Sequence, residues 1–216
     1  MRWVTANWPR IVELTLDHLL LAAPAIAVSV LLAVPVGRLA WRRPRLGRPL
    51  QVAATLLYAI PALPLLIVIP ALTGLPLRSG ATMVVALSCY GVALLVGTAA
   101  DAFASVDPGV REAAVAVGHS PLAMFWRVDL PLAGPVLLSG IRVVTVSTIG
   151  LVTIGALIGV AGLGSLLTDG FQRGIWAEVA SGVIATVLLA GACDALLLLA
   201  GRLLLPWTGR GRRERA

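Results

Sequence analysis

The chain has 216 residues, of which 59% are apolar and only 12% charged, with a formal net charge of +7. Soluble domains carry about twice that share of charge, so an ordinary water-soluble enzyme, a disordered chain and a disulfide scaffold are excluded. All 17 basic residues are arginine, which removes any chemistry that needs a lysine, such as a P-loop phosphate lysine or a Schiff base.

Charge-free stretches of membrane-spanning length recur along the chain, since about 20 apolar residues cross ~30 Å of hydrocarbon as a helix. They predict an all-α integral membrane protein of one domain, residues 1–216, with about five transmembrane helices near 14–37, 50–72, 80–101, 133–157 and 179–203. Pro24, Pro35, Pro61, Pro64 and Pro70 interrupt the first two, and glycines recur in the last three. Both are ordinary in membrane helices, and both also suit helices that pack closely and shift.

The loop 102–132 is the one connection long enough to fold. Asp107-Pro108 reads as an N-cap with proline at the first helical position. It opens a helix over Val110–Val117, with Glu112 in the first turn, where the dipole favours a carboxylate. Gly118 ends that helix. Ser120-Pro121 opens a second one over Leu122–Val128, and Leu130-Pro131 ends it. The hairpin carries more apolar side chains than a solvated loop needs. Either a partner or the lipid headgroups cover them.

Five spans place Arg38, Arg42, Arg43, Arg45 and Arg48, Arg111 and Arg127, and Arg202, Arg210, Arg212, Arg213 and Arg215 on one side. Arg2, Arg10, Arg78 and Arg173 fall on the other. This asymmetry predicts the N-terminus outside and the C-terminus in the cytoplasm. The positive charge then reflects topology and anionic membrane lipids, and no nucleic-acid partner is required.

Two charges, Arg142 and Asp194, fall inside predicted spans, each ~14 Å from the cytoplasmic end. Either they pair, or one lines an aqueous vestibule, or the fourth helix begins later and Arg142 snorkels to the interface. Trp3, Trp8, Trp41, Trp176 and Trp207 read as an interfacial belt. Tyr58 and Tyr90 lie within spans and either pack or face the solute pathway. Cys89 and Cys193 read as two buried apolar thiols. With only His18 and His119 as histidines, no metal site is expected.

The run Glu112-Ala113-Ala114, then Gly118, then Leu130-Pro131, resembles the EAA loop of permease subunits of bacterial ABC importers. Its context narrows the likeness: Val106-Asp107-Pro108 before it, and Val-Asp-Leu-Pro-Leu-Ala at 128–133, Gly-Ile-Arg at 140–142 and Leu-Ile-Gly-Val-Ala-Gly-Leu-Gly at 157–164 after it, with Ile-Pro-Ala-Leu at 60–63. These are similar to permeases for quaternary-amine osmoprotectants such as glycine betaine, carnitine and choline. The chain departs from that pattern at Gly97 and Thr98, where the family often carries Arg-Asn, and in Gly-Val-Ala-Gly-Leu-Gly at 159–164.

The resemblance implies a type I ABC importer transmembrane domain in the bacterial cell membrane. Glu112, Ala113, Ala114 and Gly118 would dock on the ATPase. The chain itself would be no enzyme and would hold no cofactor or metal. ATP and Mg would be bound by a separate ATPase, a second permease copy or paralogue would complete the pathway, and an extracytoplasmic binding protein would deliver the solute. Substrate-binding residues are not identified. The alternatives are a permease for another small solute, such as an amino acid, or a secondary transporter or scaffold with no ATPase.

Overall fold

The computed structural model describes residues 2–209. The apolar runs form helices. A short α1 (Arg2–Ala6) precedes α2 (Trp8–Arg42), which continues unbroken through Pro24 and Pro35. At 35 residues α2 is about 52 Å long, well beyond the hydrocarbon thickness. Then come α3 (Pro44–Ala59), α4 (Ala62–Thr73), α5 (Gly80–Ala104) and α6 (Pro108–Ala116). A continuous helical run follows: α7 (Pro121–Met124), a π-helical turn (Phe125–Asp129), α8 (Leu130–Val152) and a 3₁₀ turn (Thr153–Ile158). The chain closes with α9 (Gly164–Arg173), α10 (Trp176–Leu204) and a 3₁₀ turn (Pro206–Gly209). Four of these helical stretches are long and apolar enough to cross a membrane, and α3 with α4 makes a fifth only if the bent pair is counted as one span.

That pair corrects the single helix expected over 50–72. The chain turns by 108° at Ile60-Pro61. A residue before proline is pushed out of the helical region, and Ile60 is extended (φ −67°, ψ 126°). The carbonyl freed at the break accepts the Tyr90 hydroxyl from α5, which is how broken backbone is tolerated at membrane depth.

Helix α5 is the centre of the bundle, and α2 runs alongside it in the same direction. The buried residues of α2 from Ala22 onward are Ala25, Ser29, Ala33, Gly37 and Ala40, a stripe of small side chains at helical spacing. They let the two backbones touch. A Cβ on Gly37 would stand 2.5 Å from the Ala99 Cβ and 2.9 Å from the Ala100 nitrogen. Ser29 and Ser88 hydrogen-bond across this seam. Around it, Leu65, Leu66 and Ile69 of α4, Met83 and Leu87 of α5, and Ile149 and Val152 of α8 form the largest apolar cluster. Cys89 and Cys193 are both free and half-buried against that cluster, less buried than expected. α10 lies on the outside of the bundle, packed on α8 and α9.

Contacts define two ends. Arg38, Trp41, Arg111 and Asp129 meet at one, hereafter the arginine-rich end, and Gly134 lies against Leu205 there too. Arg10, Asp169 and Glu178 meet at the other, with His18 beside Leu163. Arg210, Arg212, Arg213 and Arg215, assigned above to the basic side, lie outside the described residues.

Candidate functional site

The hairpin at the arginine-rich end is built by local chemistry. The Asp107 carboxylate accepts the Gly109 N–H at 2.6 Å and opens α6 with Pro108 at its first position. The cap at Asp107 and proline at the first position are as expected, but counted from Pro108 Glu112 sits beyond the first turn, where the dipole helps it less. It ends in a Schellman motif: the Gly118 N–H bonds the Val115 carbonyl at 2.9 Å and the His119 N–H bonds the Ala114 carbonyl at 3.1 Å. This geometry needs a left-handed residue, and Gly118 has φ +86°. Ser120 then caps α7 by accepting the Ala123 N–H at 3.2 Å.

The expected stop at Leu130-Pro131 is corrected. The helix runs straight through, because the π-helical turn at Phe125–Asp129 re-registers the backbone just before Pro131, whose missing N–H and bulky ring would otherwise disturb an α-helical ladder. The hairpin thus joins α8 without a joint.

The two alanines of the Glu-Ala-Ala run part company. Ala114 turns inward and packs with Met124 and Val128, while Ala113 and Glu112 are exposed. The outer surface carries Val110, Val115, Val117, Leu122 and Trp126, with Val117 75% and Trp126 59% exposed. Uncovered apolar side chains this closely grouped mark a contact surface.

Beneath the hairpin lies a buried carboxylate. Asp129, 1% exposed, accepts from Arg111 Nε at 2.7 Å and from Arg38 Nη2 at 3.2 Å. Arg111 also donates to the carbonyls of Val106 (3.0 Å) and Phe103 (2.5 Å) and lies 4.2 Å over the Trp41 ring. Arg38 stacks 4.1 Å from the Phe125 ring centroid, and its Nε has no partner among the described residues. One carboxylate therefore ties α6, the π-helical turn and α2 together, and Arg111 adds the end of α5 through the Phe103 carbonyl. A buried charge that accepts two guanidinium groups is satisfied where a lone one would be very costly. Trp41, expected in an interfacial belt, lies in the last turn of α2 and also serves this cluster. Arg38 and Arg111 are read above only as topological charges, and Asp129 only as part of the 128–133 motif; sequence reasoning missed their pairing. The available signal was a carboxylate flanked by apolar residues just before Leu-Pro.

Three further ion pairs among the described residues join other helices. Arg142 donates from Nε and Nη2 to the two carboxylate oxygens of Asp194, both at 2.7 Å, joining α8 to α10. At the opposite end Arg10 bridges Asp169 (2.6 Å) and the fully buried Glu178 (2.9 Å), fixing the start of α2 to α9 and α10. Nearby, His18 is fully buried; its Nδ1 receives the Leu163 N–H at 3.3 Å and its Nε2 faces the Ile149 carbonyl at 2.9 Å. This pattern is that of a neutral ring with the proton on Nε2. No group of three or more His, Cys, Asp or Glu that could hold a metal occurs among the described residues.

The Arg142–Asp194 pair predicts a specific mutational pattern. Asp194→Asn leaves a guanidinium facing a neutral amide within the bundle, and we expect less complex to assemble in membranes. Arg142→Met combined with Asp194→Leu removes both charges and should recover assembly. Quantitative immunoblotting of the purified complex checks this, and an unaffected Asp194→Asn complex would contradict it.

The described residues form a bundle of broken and unbroken helices of membrane-spanning character with a helical hairpin outside it. The chain belongs to the family described as binding-protein-dependent transport system inner membrane component, which matches residues 11–210. It is 34% identical over 203 residues to the osmoprotectant import permease protein OsmW of Salmonella typhimurium, covering 91% of this chain and 93% of that protein. It is 29% identical over 181 residues to the carnitine transport permease protein OpuCD of Listeria monocytogenes, covering 83% and 80%. Its fold is that of a chain in an inward-facing structure of the MetNI methionine ABC transporter, with a TM-score of 0.73 at 21% identity, over 91% of this chain and 94% of that one. The protein is therefore an inner-membrane permease subunit of an ABC importer, a transport component and not an enzyme. Its importer includes a separate ATPase and a binding protein.

Proposed function

We propose that this permease carries quaternary-amine osmoprotectants, the solute class of glycine betaine, carnitine and choline. The observation that carries this reading is the identity with OsmW along nearly the whole length of both chains, reinforced by the carnitine and choline permeases among its relatives. The arginine-rich end faces the cytoplasm. There the hairpin 107–129 docks on the ATPase, which binds ATP and Mg. Val117, Leu122 and Trp126 supply the apolar contact, Glu112 and Ala113 lie on the same exposed segment, and Gly118 holds the turn between the helices. A second permease copy or paralogue completes the pathway, and the extracytoplasmic binding protein delivers solute to the opposite end.

Uptake of labelled glycine betaine by the reconstituted complex tests the substrate. Carnitine and choline should compete, and amino acids should not; competition by an amino acid alone would replace this reading with an amino-acid importer. Affinity purification tests the docking surface. Val117→Asp with Leu122→Asp puts two carboxylates into an apolar contact and should lower ATPase recovery by about tenfold or more. Undiminished recovery would remove the hairpin from the interface.

A further inference from the structure

Most of the outer surface of the bundle is apolar, as on α10, where Val183, Ile184, Val187 and Leu188 are exposed. One groove differs. A cavity of about 400 Å³ between α3 and α5 is lined by Gln51, Thr55, Tyr58, Gly97, Thr98 and Asp101. It follows the two helices for about 12 Å, the rise of α5 from Ala93 to Asp101.

Its ends are chemically distinct. At one end Asp101 is exposed and forms no ion pair among the described residues. Arg48, one turn away on the same face of α3, forms no ion pair with it, and no arginine lines the cavity. At the other end the Tyr58 ring is 49% exposed and rests edge-to-face on Tyr90, centroids 6.0 Å apart. Tyr90 is itself anchored by its hydroxyl on the Ile60 carbonyl, so Tyr58 stands on a fixed support. Between them lie Gln51, Thr55 and Thr98, together with the apolar Ala54, Ala93 and Leu94.

Asp101 lies in the last turn of α5, at the arginine-rich end where water is reached, and the polar groups of the groove suit an aqueous face better than lipid. A quaternary ammonium group donates no hydrogen bonds and is recognised by negative charge and by aromatic faces. We propose that the α3–α5 groove is a stretch of the permeation pathway along which the quaternary ammonium group of the transported solute meets the Tyr58 ring at one end and the Asp101 carboxylate at the other, as successive contacts. This rests on the substrate class inferred above.

The test uses the full complex, with its ATPase and binding protein, in proteoliposomes. Uptake of labelled choline is measured, with unlabelled choline and its neutral carbon isostere 3,3-dimethylbutan-1-ol as competitors. The binding protein is the same in every reaction, so differences belong to the permease. Asp101→Asn and Tyr58→Leu should each lower choline uptake by about tenfold, the loss of one such contact. Tyr58→Phe and Tyr58→Trp, which keep a ring, should stay within about threefold of wild type. The preference for choline over the isostere should shrink in Asp101→Asn. Complex yield and thermal midpoint should match wild type in all four, separating loss of the site from loss of folding. Wild-type choline uptake left intact by both Asp101→Asn and Tyr58→Leu overturns the subsite alone. A wild-type complex that transports no quaternary-amine solute overturns the substrate class, and the subsite with it.

Discussion

Asp129→Ala should abolish uptake and markedly destabilise the permease. The carboxylate is 1% exposed and is the shared acceptor of Arg111 and Arg38. Its removal leaves two guanidinium groups pressed together over Trp41 and Phe125 with their common counter-charge gone. Breaking a buried ion pair by deleting one partner costs about 3–5 kcal/mol. The consequence extends beyond stability, because Asp129 is where α6, the π-helical turn and α2 are joined. Without it, displacement of the hairpin is no longer transferred rigidly to α2. Asp129→Asn preserves the shape and separates the two effects: it should assemble better than Asp129→Ala yet still lose most uptake. Thermal midpoints in detergent, together with ATP hydrolysis and uptake in proteoliposomes, check this. Wild-type uptake by either variant would show that the network is only structural.

The second large effect is expected at Gly37, on the face of α2 that meets α5. Its hydrogen faces α5 where a methyl would meet the Ala99 Cβ at 2.5 Å and the Ala100 backbone nitrogen at 2.9 Å. A side chain tip can swing away, but helix backbone cannot, so Gly37→Val must push α2 off α5 along the seam lined by Ala33 and Ala40. Overpacking costs about 1–3 kcal/mol, and more where backbone has to move. A loss of ~3 kcal/mol corresponds to a thermal midpoint lower by about 6–12 °C for a chain of this size. Adding Ala99→Gly should recover only part of it, since the Ala100 nitrogen still blocks the site. A Gly37→Val permease that melts like wild type would contradict the close approach of the two helices.

Features that depend on local chemistry were legible in the sequence. The charge-free runs specify α2, α5, α8 and α10 because spanning length and apolarity are properties of the segment itself. Asp107-Pro108, Gly118 and Ser120-Pro121 read out the hairpin because caps act within three residues. The features that failed depend on distant partners. Pro24 and Pro35 leave α2 intact, whereas Pro61 breaks its helix. Part of what separates them is a hydroxyl on Tyr90, 30 positions along the chain, that satisfies the Ile60 carbonyl. Leu130-Pro131 looked like a terminator because a π-helical turn has no sequence signature of its own. The pairing of Asp129 could not be read because Arg38 lies 91 positions away and Arg111 lies 18. The departures at Gly97 and Thr98 gained meaning only when the fold placed both in the α3–α5 groove beside Asp101.

The central claim, that the 107–129 hairpin is where an ATPase grips this permease, is tested most directly by site-specific crosslinking in the assembled importer. With Cys89 and Cys193 replaced by serine, single cysteines are placed at Val117 on the exposed hairpin and at Leu157, exposed at the opposite end of the bundle. Each is treated with a short homobifunctional thiol crosslinker in the presence of an ATPase carrying engineered surface cysteines. The account predicts a permease–ATPase product from position 117 and none from 157. A product from 157, or none from 117 in a complex that still hydrolyses ATP and imports solute, would contradict it.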